Sequence, residues 1–195
     1  MGYGHDMEKL REPLCEIAQC GLPCALEAMG DAARVEMEEP RFDWDVIPLA
    51  YAMDTRDMPV AWDELEHGAA VNVGNPHIVF FVPEADAVAL DELGPRIETD
   101  PLFPERVNVN VASLDGDNQL QLRVWERGAG LTLACGSGAC AAIVAASRRG
   151  LVDRRAEVVV DGGTLTMEWL RDGHVLMTGG IAVAFKGELD ASLLA

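Results

Sequence analysis

The sequence predicts an α+β fold, a curved mixed or antiparallel sheet wrapped around one central helix. Three observations predict it. Short runs of alternating apolar and polar residues recur between turn residues along most of the chain, the pattern of half-buried strands. Residues 139–149 form one longer alanine-rich run that is apolar on all sides, so it suits a helix buried all round rather than an amphipathic surface helix. Immediately before that run, residues 126–138 are rich in glycine and hold Cys135 at the point where turn becomes helix.

Taken in order, residues 1–12 are polar and no more than marginally helical. Residues 14–18 and 26–29 flank the turn Gly21-Leu22-Pro23, residues 34–38 follow Gly30-Asp31, and all three alternate as short strands. Residues 39–44 break the pattern, and a domain boundary is expected near them. Residues 69–73 and 77–82 read as a strand pair around Gly74-Asn75-Pro76, and residues 91–95 as a short helix and loop. Residues 108–113 and 119–125 are two strands joined by the turn Asp115-Gly116-Asp117-Asn118. In the central helix the small alanines let a sheet approach closely. Arg148 and Arg149 suit its negative end, and Gly150 suits the cap. Residues 156–160, 164–169 and 174–178 alternate again, and residues 179–185 end the set.

Composition bounds the function. A net charge of −18 argues against a nucleic-acid partner, because phosphate contacts need clustered Lys and Arg. No apolar stretch approaches the roughly 20 residues that cross a membrane, and no secretory pattern opens the chain, so a cytoplasmic location is expected. Five cysteines (Cys15, Cys20, Cys24, Cys135, Cys140) do not make a disulfide framework. Cys20 and Cys24 lack a second ligand pair, so no metal site is expected, and Cys15, Cys20 and Cys24 read as small apolar residues on strands. Cys140, five residues beyond Cys135, reads as helix core.

Cys135 reads differently. A thiol at a helix start meets the positive end of the dipole and unpaired backbone N–H groups, which favour its thiolate and can hold a carboxylate beside it. The run lacks the lysine of a phosphate-binding loop. Ser137 lacks the preceding glycine of a Gly-x-Ser-x-Gly elbow, which removes serine hydrolysis. Read singly, the residues around it have plainer roles: Asn75 before Pro76 serves a turn, His77 opens a strand, and Glu126 and Arg127 are solvated charges.

Together they carry more. Gly74-Asn75-Pro76-His77, Glu105-Arg106-Val107-Asn108, Glu126-Arg127-Gly128-Ala129-Gly130 and Ala134-Cys135-Gly136-Ser137-Gly138-Ala139-Cys140-Ala141 occur in this order. They closely resemble the second half of diaminopimelate epimerase, over roughly residues 35–188. The resemblance implies one lobe of a two-lobed enzyme. Residues 1–40 would be remnant strands of the N-terminal lobe, 41–180 the C-terminal lobe carrying Cys135, and 181–195 a final strand and tail returning toward the first lobe. It also implies cofactor-independent, two-base inversion of LL- to meso-diaminopimelate, a lysine and peptidoglycan precursor. Cys135 would be one of the two acid/base groups. His77 and Glu126 would modulate cysteine pKa values. Asn75, Asn108, Glu126, Arg127 and the backbone N–H groups of Gly136 and Ser137 would bind substrate.

The family's first-half motif, of the type Cys-Gly-Asn-x-x-Arg-Cys, has no match here. Cys20-Gly21-Leu22-Pro23-Cys24 shares only the Cys-Gly pair. The expectation is therefore a truncated epimerase with low or no activity alone, paired as a homodimer or with a chain supplying the missing lobe. Two alternatives stay open: a non-catalytic remnant that binds a ligand or partner, and another cofactor-independent amino-acid racemase.

Overall fold

A computed structural model describes residues 25–29 and 31–181. The expected strand at 14–18, the cysteines at 15, 20 and 24, and all but the first residue of the expected segment 181–195 lie outside the described residues. Twelve strands are described: β1 (Ala25–Met29), β2 (Ala32–Met37), β3 (Ala61–Trp62), β4 (Leu65–Glu66), β5 (Ala69–Asn72), β6 (Pro76–Phe81), β7 (Asn108–Leu114), β8 (Gln119–Glu126), β9 (Gly130–Thr132), β10 (Arg155–Val160), β11 (Gly163–Trp169) and β12 (Val175–Gly180). Two α-helices, α1 (Leu90–Glu98) and α2 (Gly136–Arg149), accompany them. No helix among the described residues is long and apolar enough to cross a membrane.

Ten strands form one sheet, ordered β1-β2-β12-β11-β10-β8-β7-β6-β5, with β9 on the free half of β8. The sheet is mixed, one of the two expected forms. Most neighbours are antiparallel, while β6 pairs with β7 and β8 with β10 in parallel. Both parallel pairs arise where the connection carries other structure: α1 lies between β6 and β7, and β9 and α2 lie between β8 and β10. A parallel return needs such a crossover, whereas the hairpins need only a turn. At the proposed boundary residues 38–40 belong to no strand, and Arg41 bridges to Asn72. The sheet itself is continuous across that point, because β2 pairs with β12 along six registered positions.

The central helix is as buried as its sequence implies. All nine residues from Gly138 to Ala146 are buried. They pack against Val71, Val79, Ala112, Leu122, Val124 and Val158 from the sheet. Gly150 closes the helix, and the guanidinium of Arg148 lies over the Phe42 ring.

A second apolar layer covers the other face of β5–β8. Ile47, Met58, Leu65, Leu90, Leu93, Ile97 and Phe103 pack there against Ile78, Phe80, Val109 and Val111. This layer explains why five of the six residues of β6, and the first six of β7, are buried without alternation. On β7, therefore, odd positions face α1 and even positions face α2. Asn108, Asn110 and Ala112 share the α2 face.

Candidate active site

The site is built where β6, β7, the β8–β9 hairpin and the start of α2 converge. The β8–β9 connection is tight: Glu126 pairs with Gly130, and the Ala129 N–H closes a turn on the Glu126 carbonyl at 3.0 Å. Gly128 and Gly130 have φ of 78° and 87°, a region L side chains rarely occupy, so the spacing Glu126-Arg127-Gly128-Ala129-Gly130 is the chemistry of this turn. A buried carboxylate holds it from below. Glu98, at the end of α1, accepts from the Gly128 N–H at 3.0 Å and from the Trp125 indole at 2.7 Å. The same carboxylate faces the Arg106 guanidinium at 3.3 Å.

From β9 the chain passes Leu133, whose carbonyl accepts from Gly162 N–H at 2.8 Å, and reaches Cys135. Cys135 is the N-cap of α2. Its backbone is extended (φ −138°, ψ 108°), and Sγ accepts from the Gly138 N–H at 3.3 Å. Sγ also lies 3.5 Å from Ser137 Oγ. The N–H groups of Gly136 and Ser137 have no partner within the helix, since they occupy its first two positions. Both residues are half-buried. The thiol and two donors without a partner among the described residues therefore face the same space.

The expected lowering of the Cys135 pKa is not what the geometry produces. Burial pushes the thiol up, Ser137 and Gly138 pull it back by hydrogen bonding, and the Glu126 carboxylate raises it further. With Cys135 only 6% exposed, the desolvation cost of the thiolate outweighs the helix start. Cys140 is fully buried, as expected of helix core, and its thiol is pushed up to about 12.

Glu126 is half-buried and oriented by Thr132, whose hydroxyl donates to Oε1 at 2.6 Å. Asn75 sits beside the helix start, donating from Nδ2 to Ser137 Oγ at 3.3 Å. His77 is completely buried, with Nε2 at 2.9 Å from Asn75 Oδ1 and Nδ1 at 3.1 Å from Asn110 Nδ2. Burial lowers its pKa to about 3, with Arg127 adding to the fall and the Asn110 bond opposing it, so the imidazole is neutral.

Asn108 is committed to backbone. It donates to the Pro76 carbonyl and accepts from the Arg127 N–H, both at 2.9 Å, which ties β6 to the β8–β9 turn. Arg127 is exposed, with Nη1 3.0 Å from the Glu105 carbonyl. Of the residues singled out from sequence, Cys135, Ser137, Asn75, His77 and Glu126 are thus brought together. Asn108 and Arg127 frame them. A surface hollow of about 430 Å³, lined by Asp115, Asn118, Arg155 and Glu157 among others, lies at the other end of β8 and shares no residue with this cluster.

Sequence reasoning missed Asn110, Thr132 and Glu98. For Asn110 a signal existed, since Asn108 and Asn110 are two apart and face the same way on one strand. Glu98 and Thr132 carry no local signal, because their partners are 6 to 30 residues distant.

Gly138 is required by close approach. A Cβ there would lie 2.8 Å from Asn110 Oδ1, 3.0 Å from Val124 Cγ2 and 3.3 Å from Cys135 Cβ. Two of those contacts are on strands that cannot recede. Gly138→Ala is expected to cost about 1–3 kcal/mol, visible as a lower urea midpoint with an unchanged slope.

Known proteins agree with this architecture. The family model of diaminopimelate epimerase matches residues 69–183. A diaminopimelate epimerase of Sphingopyxis alaskensis is 64% identical over 185 residues, covering 90% of this chain and 69% of its own length. The chain belongs to the diaminopimelate epimerase family.

A second diaminopimelate epimerase, from Erythrobacter litoralis, is 63% identical over 85% of this chain, and the chain spans 62% of that relative. The family is one of amino-acid epimerases, which are isomerases. Among solved structures, a hydroxyproline epimerase from Agrobacterium vitis with bound trans-4-OH-L-proline has a TM-score of 0.56 at 14% identity, over 88% of this chain and 61% of that one. A phenazine biosynthesis PhzC/PhzF protein from Clostridium difficile has a TM-score of 0.54 at 10% identity, over 96% and 73%. These two share the fold, the diaminopimelate-epimerase-like curled mixed sheet.

Proposed function

We propose that this chain carries one proton-transfer face of a two-base epimerisation of diaminopimelate, with Cys135 as the transferring group. The observation that carries this reading is the placement of Cys135 Sγ at the N-cap of α2, beside the N–H groups of Gly136 and Ser137 that the helix leaves unbonded. An α-carboxylate bound by those N–H groups puts the substrate's α-carbon near Sγ.

The chemistry follows. When the Cα–H bond breaks, its electron pair moves into the α-carboxylate and makes an enediolate, while the proton passes to a base on one face. N–H donors at the developing negative oxygens stabilise that state without reorganising. An acid on the opposite face then gives its proton to Cα, and the configuration inverts. One group must begin as thiolate and the other as thiol. Burial and the Glu126 carboxylate keep Cys135 protonated, which suits it to return the proton. In the reverse reaction it begins as the thiolate, with Ser137 and Gly138 supplying hydrogen bonds to sulfur.

In this reading Asn75 and Arg127 contact polar substrate groups, and His77 and Glu126 set the charge state of the thiols. Asn108 contributes by fixing the Arg127 backbone. The substrate is a small amino acid, the residues of the chain carry the chemistry without an added cofactor, and the site of action is the cytoplasm. Inversion further requires a second acid/base group on the face of the substrate opposite Cys135.

Incubation with each diaminopimelate stereoisomer in heavy water tests this. Deuterium wash-in at the α-carbon without inversion is the expected result for the chain alone. Wash-in with inversion would show that both groups are present. No wash-in under conditions where the substrate binds would leave a ligand-binding role and remove the catalytic one.

A further inference from the structure

We infer that Asn110 is a positioning residue that sets the direction of a hydrogen-bond chain ending on Cys135 Sγ. The direction is readable from the backbone. Asn110 Nδ2 lies 2.9 Å from the Ile78 carbonyl and 3.3 Å from the Asn108 carbonyl. Carbonyls only accept, so the atom facing them is the NH2 group, and the amide cannot be turned round. That same group faces His77 Nδ1 at 3.1 Å. The NH2 group has two protons and cannot accept, so Nδ1 presents its lone pair to it rather than a proton, which places the ring proton on Nε2.

The remaining links follow in sequence. Nε2–H donates to Asn75 Oδ1 at 2.9 Å, so Asn75 turns its NH2 toward Ser137. Ser137 Oγ accepts that bond, and its own proton is left to donate to Cys135 Sγ, 3.5 Å away. A fixed donor direction at Asn110 thus becomes a donor at the sulfur, and chains of this kind reinforce one another in a dry interior.

Packing does not account for Asn110. It is fully buried, and its Oδ1 has no hydrogen-bond partner among the described residues. An unpaired buried amide oxygen destabilises the fold. It lies instead against the space that Gly138 leaves open at the start of α2. A leucine would fill the same site without that cost, so the amide is explained by what its NH2 group fixes.

The inference rests on the reading of Cys135 as a proton-transfer group, yet its test does not use turnover, so the two can fail separately. In the full-length chain with 15N-labelled histidine, the His77 ring is expected to show a protonated Nε2 and an accepting Nδ1. A protonated Nδ1 overturns the inference without any variant. Asn110→Asp replaces the donor with an acceptor, so His77 is expected to gain a proton on Nδ1. Alkylation of Cys135 by iodoacetamide near pH 8, followed by peptide mapping, should slow by about three- to tenfold as the thiolate fraction falls. In a Ser137→Ala background the Asn110 substitution should have no further effect on that rate. Additive losses, or an unmoved ring spectrum, would show that Asn110 acts only on packing.

Discussion

Replacing Cys135 with alanine is expected to abolish α-hydrogen exchange into diaminopimelate, by about a hundredfold to ten-thousandfold, while leaving the fold intact. Two consequences of one atom are separable here. In the proposed proton-transfer role, neither neighbour on the helix replaces Sγ: Ser137 is an alcohol, too weakly acidic to form its anion, and Cys140 is sealed in the core. As an N-cap, Sγ satisfies only the Gly138 N–H, and losing a cap costs about 1 kcal/mol. Cys135→Ser should therefore restore most of the stability, since a hydroxyl can accept the same bond, but none of the exchange. Mass-spectrometric deuterium wash-in checks the first part and urea midpoints the second. Exchange persisting in Cys135→Ala would mean that another group moves the proton.

Acid is expected to unfold the chain through His77. The unfolded histidine takes a proton near pH 6.5, whereas the buried ring resists until about 3, chiefly because the imidazolium would be stripped of water. The sign follows from proton binding. Across that window the unfolded state holds the extra proton, so the contribution to stability is complete above pH 6.5 and is lost as pH falls. At about 1.4 kcal/mol per pH unit the loss amounts to about 5 kcal/mol, comparable with the whole stability of many domains. Chemical denaturation between pH 7 and 4 should show this slope beyond the contribution of the carboxylates. His77→Gln, which keeps a polar side chain without the titration, should flatten it. An unchanged acid slope in His77→Gln would assign the effect elsewhere.

Much of this architecture is legible because it depends on local rules. The all-round apolar run at 139–149, its basic last turn and the following glycine specify one buried helix wherever the chain places it. The strand pairs around residues 74–76 and 115–118 follow from turn residues and period-two alternation. The second layer was not legible, since Ile47, Met58 and Leu65 come from a segment without periodicity and become a layer only by packing on β5–β8. The same packing buries both faces of β6 and β7, so the alternation of Asn108, Val109, Asn110 and Val111 separates two buried faces rather than a buried face from a solvated one.

Cys135 shows where the division lies. That a thiol would cap a helix start beside two free N–H groups is decided by a glycine-rich turn running into alanines, which is local chemistry. Its protonation state is not local. It depends on how completely the sheet and the β8–β9 hairpin exclude water and on the Glu126 carboxylate nearby, and these favour the thiol over the thiolate that the helix start alone would favour. Residue order settled the bonded geometry of the site, while the balance between desolvation and hydrogen bonding waited on the packing of segments distant in the chain.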